Sequence, residues 1–243
     1  MIYLFTDFGW AGPYVGEMKA VLARELPGVC LIDLMHDAPC LNPRAAAYLL
    51  AALSRRFHRG DVCLGVVDPG VGDARRRPII IEADGIRYVG PDNGLFAVLA
   101  RTAKTLQCQE ILWRPVSMSE SFHGRDLFAV VVTRLLKGED VQTRDVTPSS
   151  LVGWDFPAQL AEIVYLDHYG NAVTGLSATQ LTDEAILVIA GRRLRYARTF
   201  SSVPVAEVFW YCNSMGLIEV AANQASAGKL LGLELGTSII LEA

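Results

Sequence analysis

An amino-terminal α/β domain on a layered, mostly parallel sheet, followed by a smaller all-β domain, is the architecture that this chain of 243 residues encodes. Two features carry that reading. Up to Asp145, short apolar runs alternate with stretches of helical spacing, the β-α-β-α order of a parallel layered sheet. Beyond it, every periodic segment reads as a strand. The stretch between them, VTPSSLVGWDFPAQ, carries the prolines and serines of a connection, which places the domains at 1–148 and 161–243 with a linker at 149–160.

The elements follow in order. Ile2 to Thr6 is an apolar strand that breaks into Asp7 and Gly9, and Tyr14 to Leu26 has helical spacing with its charges on one face. Val29 to Leu34 reads as a strand, Asn42 to Phe57, rich in Ala and Leu, as a helix, and Val62 to Val67 as a third strand. Pro78 to Glu82 and Arg87 to Val89 form a hairpin around Asp84-Gly85, and Gly94 to Ala103 is helical. The second domain offers strands at Glu162 to Leu166, Ala185 to Ile189, Arg193 to Tyr196, Val208 to Tyr211, Leu217 to Ala221 and Ser238 to Leu241.

Composition narrows the functional classes. Hydrophobic residues make up 51% and charged residues 20%, as in a compact globule with a sizeable core. Five cysteines without a C-x-x-C pair read as reduced core thiols, and hence a cytoplasmic protein. The opening MIYLFTDFG lacks the basic region of a signal peptide, and no run reaches the length of a membrane span. Net charge is -4, and the short basic clusters at Arg55-Arg56, Arg75 to Arg77 and Arg192-Arg193 lack interleaved aromatics, which points away from nucleic acid and toward a small molecule.

Three strands of the first domain run into an acid, at Asp7, Asp33 and Asp68. Ligands of open α/β sheets bind beyond the carboxyl ends of strands, which makes each a candidate. Asp7, in TDFG, can accept from both hydroxyls of a ribose diol, or it can close an Asx-turn. Asp68, in DPGVGDAR, lies within reach of Arg75 across a glycine-rich turn, or it caps that turn. In SFHGRDLFA, Asp126 suits a helix N-cap with Arg125 as partner, and His123 is left without a structural duty. No histidine shows zinc-ligand spacing. The polar, glycine-bearing stretches YLDHYGNAVTG and YCNSMGLIEVAANQASA read either as hairpin turns or as recognition loops.

Taken together, TDFG with YVGEMK, VVDPGVGDAR, VGPDNGL, FHGRDLFA, YLDHYGN and NSMGLIEVAANQASA resemble, in this order and over essentially the whole chain, the S-adenosylmethionine hydroxide adenosyltransferases, relatives of the bacterial fluorinase and chlorinase. The resemblance implies an α/β domain joined to a barrel-like β domain in a homotrimer, with each site formed between two subunits. It implies hydrolysis of S-adenosylmethionine (SAM) to adenosine and L-methionine, with no cofactor and no metal. It places the catalytic set on Asp68, Arg75 and His123, and the ribose diol on Asp7. It gives Asn171 and Ser214 the polar parts of the ligand, Asp167 and Glu219 the methionine ammonium or its surroundings, and Tyr211 with the backbone near Ala222 the adenine end. The chain departs from the family at Gly12, where an acid is common, and at Gly175, the last place of GNxxTN.

Two other functions compete. A metal-dependent phosphohydrolase on Asp7, Asp37, Asp68 and His123 would lose activity to a chelator. A non-catalytic binder of SAM or adenosine would bind without releasing adenosine.

Overall fold

The computed structural model describes residues 1–242, Gln180 by its backbone alone. The chain divides into two units, Met1–Phe156 and a second beginning at Pro157. The first comprises β1 (Ile2–Thr6), α1 (Tyr14–Glu25), β2 (Leu31–Met35), α2 (Pro43–Ser54), β3 (Val62–Val66), β4 (Pro78–Ala83), β5 (Ile86–Pro91), α3 (Ala97–Thr102), β6 (Leu106–Ile111), α4 (Ala129–Lys137) and β7 (Thr143–Asp145).

These strands form one seven-stranded sheet in the order β2-β1-β3-β5-β4-β6-β7. Pairings from β2 through β1 and β3 to β5 are parallel, whereas β4 is antiparallel to both β5 and β6, and β7 to β6. The sheet is therefore mixed rather than mostly parallel. The cause is the expected hairpin: Asp84 (φ 52°) and Gly85 (φ 80°) turn the chain back on itself, so β4 cannot run with β5. Strands β6 and β7 were not anticipated, and they extend the antiparallel edge.

Burial explains why the parallel half is apolar throughout. Every residue of β3 is buried, as befits a strand covered on both faces. Helix α1 turns Met18 and Leu22, one helical turn apart, onto the core. Helix α2 starts where Asn42 accepts from the Ala45 N–H at 3.0 Å, with Pro43 fitting the first turn. Residues within the expected linker are packed on this unit. The Val152 N–H donates to Asp92 at 2.9 Å, and Arg77 bridges Asp92 and the Ser150 carbonyl.

The second unit holds β8 (Leu160–Leu166), β9 (Ala172–Ser177), β10 (Ile186–Ile189), β11 (Arg192–Leu194), β12 (Val208–Cys212), β13 (Leu217–Ala222), α5 (Ala227–Leu231) and β14 (Ile239–Glu242). It builds a four-stranded sheet, β12-β13-β9-β8, and a three-stranded one, β11-β10-β14, both antiparallel. Isolated bridges pair Glu162 of β8 with Ser238, just before β14, and Trp210 of β12 with Tyr196, just after β11. Among the described residues the strands of this unit form two sheets and no closed one. Nor is the unit all-β, since Ser226 accepts from the Lys229 N–H and starts α5. The core-thiol reading also needs correction: Cys63 and Cys108 are buried, but Cys30, Cys40 and Cys212 are exposed. All five are free. Among the described residues, no helix is long and apolar enough to cross a membrane.

Candidate active site

Three loops at the carboxyl ends of β1, β3 and before α4 line one cavity of about 390 Å³ in the first unit. Asp7 and Phe8 come from the first loop, Asp68 and Val71 from the second, Ser119 and Ser121 to Arg125 from the third, joined by Tyr14 and Glu17 of α1. Asp68 and His123 also line a neighbouring cavity of about 360 Å³, together with Arg76, Arg77 and Arg114. The pair thus forms a wall shared by two spaces.

Local sequence explains the convergence. Gly72 has φ 89°, and a Cβ there would meet the Glu120 carbonyl at 3.0 Å, so glycine lets the Asp68 loop lie against the loop that ends in His123. Residues Gly124–Phe128 form a single π-helical turn ahead of α4, a geometry common at functional sites. Asp126 lies inside that turn and is not the N-cap. It accepts from the Ser119 N–H at 2.9 Å and from Arg125, whose Nε and Nη2 approach its two oxygens at 2.5 and 2.9 Å. That bidentate grip holds the Asp126 carboxyl below the ordinary range, and Asp126 and Glu17 together keep Arg125 charged. Phe8, Tyr14 and Phe122 meet edge-on with centroids 5.4 to 6.1 Å apart, giving the cavity an apolar corner.

Asp7 follows β1 and accepts from the Leu41 N–H through Oδ2 at 3.1 Å. Burial pushes its carboxyl pKa up, and the charge of Asp68 adds to that, while backbone hydrogen bonds oppose it. Behind it, the buried ring of His36 pairs through Nδ1 with the Thr6 hydroxyl at 2.8 Å and through Nε2 with Asp33 at 3.1 Å. Asp33 also holds Lys19 at 2.7 Å, and it stands in the middle of β2 and not at its end, so this third acid serves the scaffold.

Arg75 is not brought to Asp68. Its guanidinium is 89% exposed and folds onto Asp73, two residues back, with Nη2 at 2.9 Å and Nε at 3.1 Å. The Arg75 N–H donates to the same carboxylate, so a local ring captures the side chain and draws the Asp73 pKa down to about 2. The guanidinium at Asp68 belongs to the next residue, Arg76.

The second unit separates the remaining candidates. Asn171 and Ala222 line a cavity of about 590 Å³ with Tyr169, Phe200, Asn223 and Ser226. Asp167 accepts from the Tyr169 and Asn171 N–H groups and from Asn171 Nδ2 at 2.8 to 2.9 Å, and so closes the turn before β9. Glu219 is 5% exposed. It accepts from the Tyr211 hydroxyl at 2.7 Å and from Asn213 Nδ2 at 2.8 Å, one on each oxygen. Burial raises the pKa of both Glu219 and Tyr211, so this is a packed polar network between β12 and β13 and not a carboxylate offered to an ammonium. Ser214 is exposed on the turn between those strands. Phe200 and Tyr169 were missed at the sequence level; Tyr169 stands beside Gly170 and could have been flagged, whereas Phe200, partly buried in a stretch without glycine, carried no such signal. Gly175 has a packing cause: a Cβ there would come within 2.6 Å of Leu160 Cβ on β8, so a larger family residue does not fit. Among the described residues, no group of three or more His, Cys, Asp or Glu is arranged to hold a metal ion.

Comparison with known proteins adds to this geometry. The SAM hydroxide adenosyltransferase N-terminal domain matches residues 2–145, and the corresponding C-terminal domain matches residues 161–240. The chain is 35% identical to a Thermus thermophilus protein named (R)-S-adenosyl-L-methionine hydrolase, over 99% of this chain and 98% of the other. A Salinispora arenicola protein of the same name is 34% identical, over 98% and 96%. A crystal structure of an uncharacterized conserved protein from Thermotoga maritima superposes with a TM-score of 0.84 at 27% identity, covering 100% of both chains.

Proposed function

The chain belongs to the SAM hydroxide adenosyltransferase family, and from that premise we propose that it hydrolyses S-adenosyl-L-methionine to adenosine and L-methionine. The observation that carries the reading is the meeting of Asp7, Asp68 and His123 on one cavity at the strand ends.

The chemistry suits those residues. An oxygen lone pair of water attacks ribose C5′ as the C5′–S bond breaks, and sulfur departs with its electron pair as a neutral thioether. The leaving group therefore needs neither a general acid nor a Lewis acid. Water is the weak partner, and the protein gains most by aligning it and by taking its proton as the bond forms. Asp68 and His123 share that task, beside a guanidinium of the Arg75 to Arg77 run. Asp7 holds the ribose diol, and Asn171, Ser214, Tyr211 and the backbone near Ala222 receive the far parts of the substrate. Asp167 and Glu219 act on the methionine surroundings through the turn and the network they order. By the same family resemblance the protein works as a cytoplasmic homotrimer with sites shared between subunits, without cofactor or metal.

Incubation of the purified protein with SAM and a chelator in ¹⁸O-labelled water tests this. Equal amounts of adenosine and methionine, with label in the 5′-hydroxyl and no effect of chelator, are expected. Binding without adenosine release would favour a non-catalytic role, and loss of turnover to the chelator would favour a metal-assisted hydrolase.

A further inference from the structure

The loop that carries Asp7 is tied to the loop after β2 by backbone and side chain alike. The Gly9 N–H donates to the His36 carbonyl at 2.6 Å, and the Ala38 N–H to that of Thr6 at 3.1 Å. The Leu41 N–H donates to Asp7 Oδ2 at 3.1 Å, and the Thr6 hydroxyl meets His36 Nδ1 at 2.8 Å. Thr6 and His36 are fully buried, and the Trp10 ring stands edge-on to the imidazole with centroids 4.8 Å apart. With the ring proton on Nε2, one chain of donors runs from the Phe8 N–H to Thr6 Oγ1 at 3.3 Å, from that hydroxyl to Nδ1, and from Nε2 to Asp33. Lys19 of α1 closes the far end on Asp33. Thr6 and Phe8 flank Asp7, so the imidazole fixes both neighbours of the carboxylate through one hydroxyl.

A local irregularity sets this up. The parallel pairing of β1 with β2 slips between Leu4 and Phe5, whose partners are Asp33 and Met35, and leaves Leu34 as an extra residue. A bulge of this kind re-aims the side chains beside it, here Asp33 and His36. Leu41 sits at φ 56° with an exposed side chain, so packing does not explain a backbone conformation that leucine disfavours, whereas its bond to Asp7 does.

We propose that His36 is a positioning residue for substrate binding, setting through Thr6 the loop from which Asp7 takes the ribose diol, an inference that rests on the hydrolase reading above. With no exposed surface, the ring itself reaches no substrate and acts through Asp7. A histidine that only fills the core would lower stability and leave recognition of the diol untouched.

Calorimetric titration with adenosine and with 2′,3′-dideoxyadenosine, beside steady-state hydrolysis of SAM, tests this for His36→Leu, His36→Asn and Thr6→Val, each alone and with Asp7→Asn. Wild-type protein is expected to prefer adenosine by at least about tenfold, since hydrogen bonds to a carboxylate are the stronger kind. His36→Leu and Thr6→Val are expected to remove most of that preference and to raise KM for SAM roughly tenfold, with kcat within about twofold. His36→Asn, which keeps an acceptor for the Thr6 hydroxyl, should recover the greater part. In the Asp7→Asn background none of the three should raise KM further. Thr6→Val changes side-chain volume little, and it carries the test where His36→Leu does not fold. An unchanged diol preference in Thr6→Val, or an equal KM penalty in both backgrounds, overturns the proposal, as does a wild-type protein that binds the two nucleosides alike. Wild-type protein that shows the preference but releases no adenosine from SAM overturns the hydrolase reading alone, and the titrations then still decide the role of His36.

Discussion

Asp7 shows how burial of one side chain sets a pH limit on binding. Its carboxyl titrates above the usual carboxylate range because it is partly desolvated and lies near the charge of Asp68. A raised pKa means that the proton returns early as pH falls, and a protonated carboxyl has lost acceptor capacity toward a diol. KM for SAM is therefore expected to rise on the acid side before ordinary carboxylates titrate, while kcat follows the groups that handle the water. Asp7→Asn should raise KM at neutral pH and flatten its acid limb. A KM that is flat with pH in the wild-type enzyme would remove Asp7 from the diol. Single residues were unevenly legible. Asp7, Asp68 and His123 announced themselves by standing at strand ends and on a loop without structural duty, and the fold brings them together. Which arginine faces Asp68 was not legible, because the choice depends on where Asp73 points. Nor was the burial of Glu219, whose neighbours Tyr211 and Asn213 reach it only once β12 and β13 pair.

Strand β3 delivers Asp68, and its placement depends on glycines that read as unremarkable. Gly65 of β3 and Gly90 of β5 both lie under the ring of Phe96, and a Cβ on Gly90 would strike the Gly65 carbonyl. Because the obstruction is backbone, it cannot be relieved by a rotamer change. Gly90→Ala is expected to cost at least the ~1–3 kcal/mol typical of overpacking, measured by urea unfolding, and to lower kcat by displacing the end of β3. Unchanged stability would show that β3 and β5 have slack, and would separate the site from this packing. At this scale the apolar helices and parallel strands were legible because burial on one stripe or on both faces leaves a period in the sequence. Strand β9 was not, since Gly170, Asn171 and Gly175 around AVTGLS carry the composition of a loop. Its glycine is there for the contact with Leu160, which is a property of the strand pair and not of the segment. Strands β6 and β7 escaped because they lie on the antiparallel edge, where polar residues interrupt the apolar period.

Across the whole molecule, the proposed site residues fall into two groups, one in each unit. Asp7, Asp68 and His123 line a cavity of the first, and Asn171 and Ala222 line a cavity of the second. In a homotrimer whose sites each draw on two subunits, a defect in one group and a defect in the other can be carried by different chains. Asp68→Ala disables the first group. Ala225→Trp disables the second by setting a large ring in its cavity, from a position that is only partly buried. Each pure variant is expected to be inactive. When the two are refolded together in equal amounts, a given site pairs one intact face from each parent in about one quarter of cases, and activity should recover to about that fraction of wild type. Sites completed within a single chain give no recovery, because every chain then carries one defect. Native mass spectrometry of the same mixture identifies the assembly. A mixed trimer without recovered activity refutes sharing between subunits, and a mixture that stays monomeric refutes the trimer, while leaving the chemistry at Asp68 to its own tests.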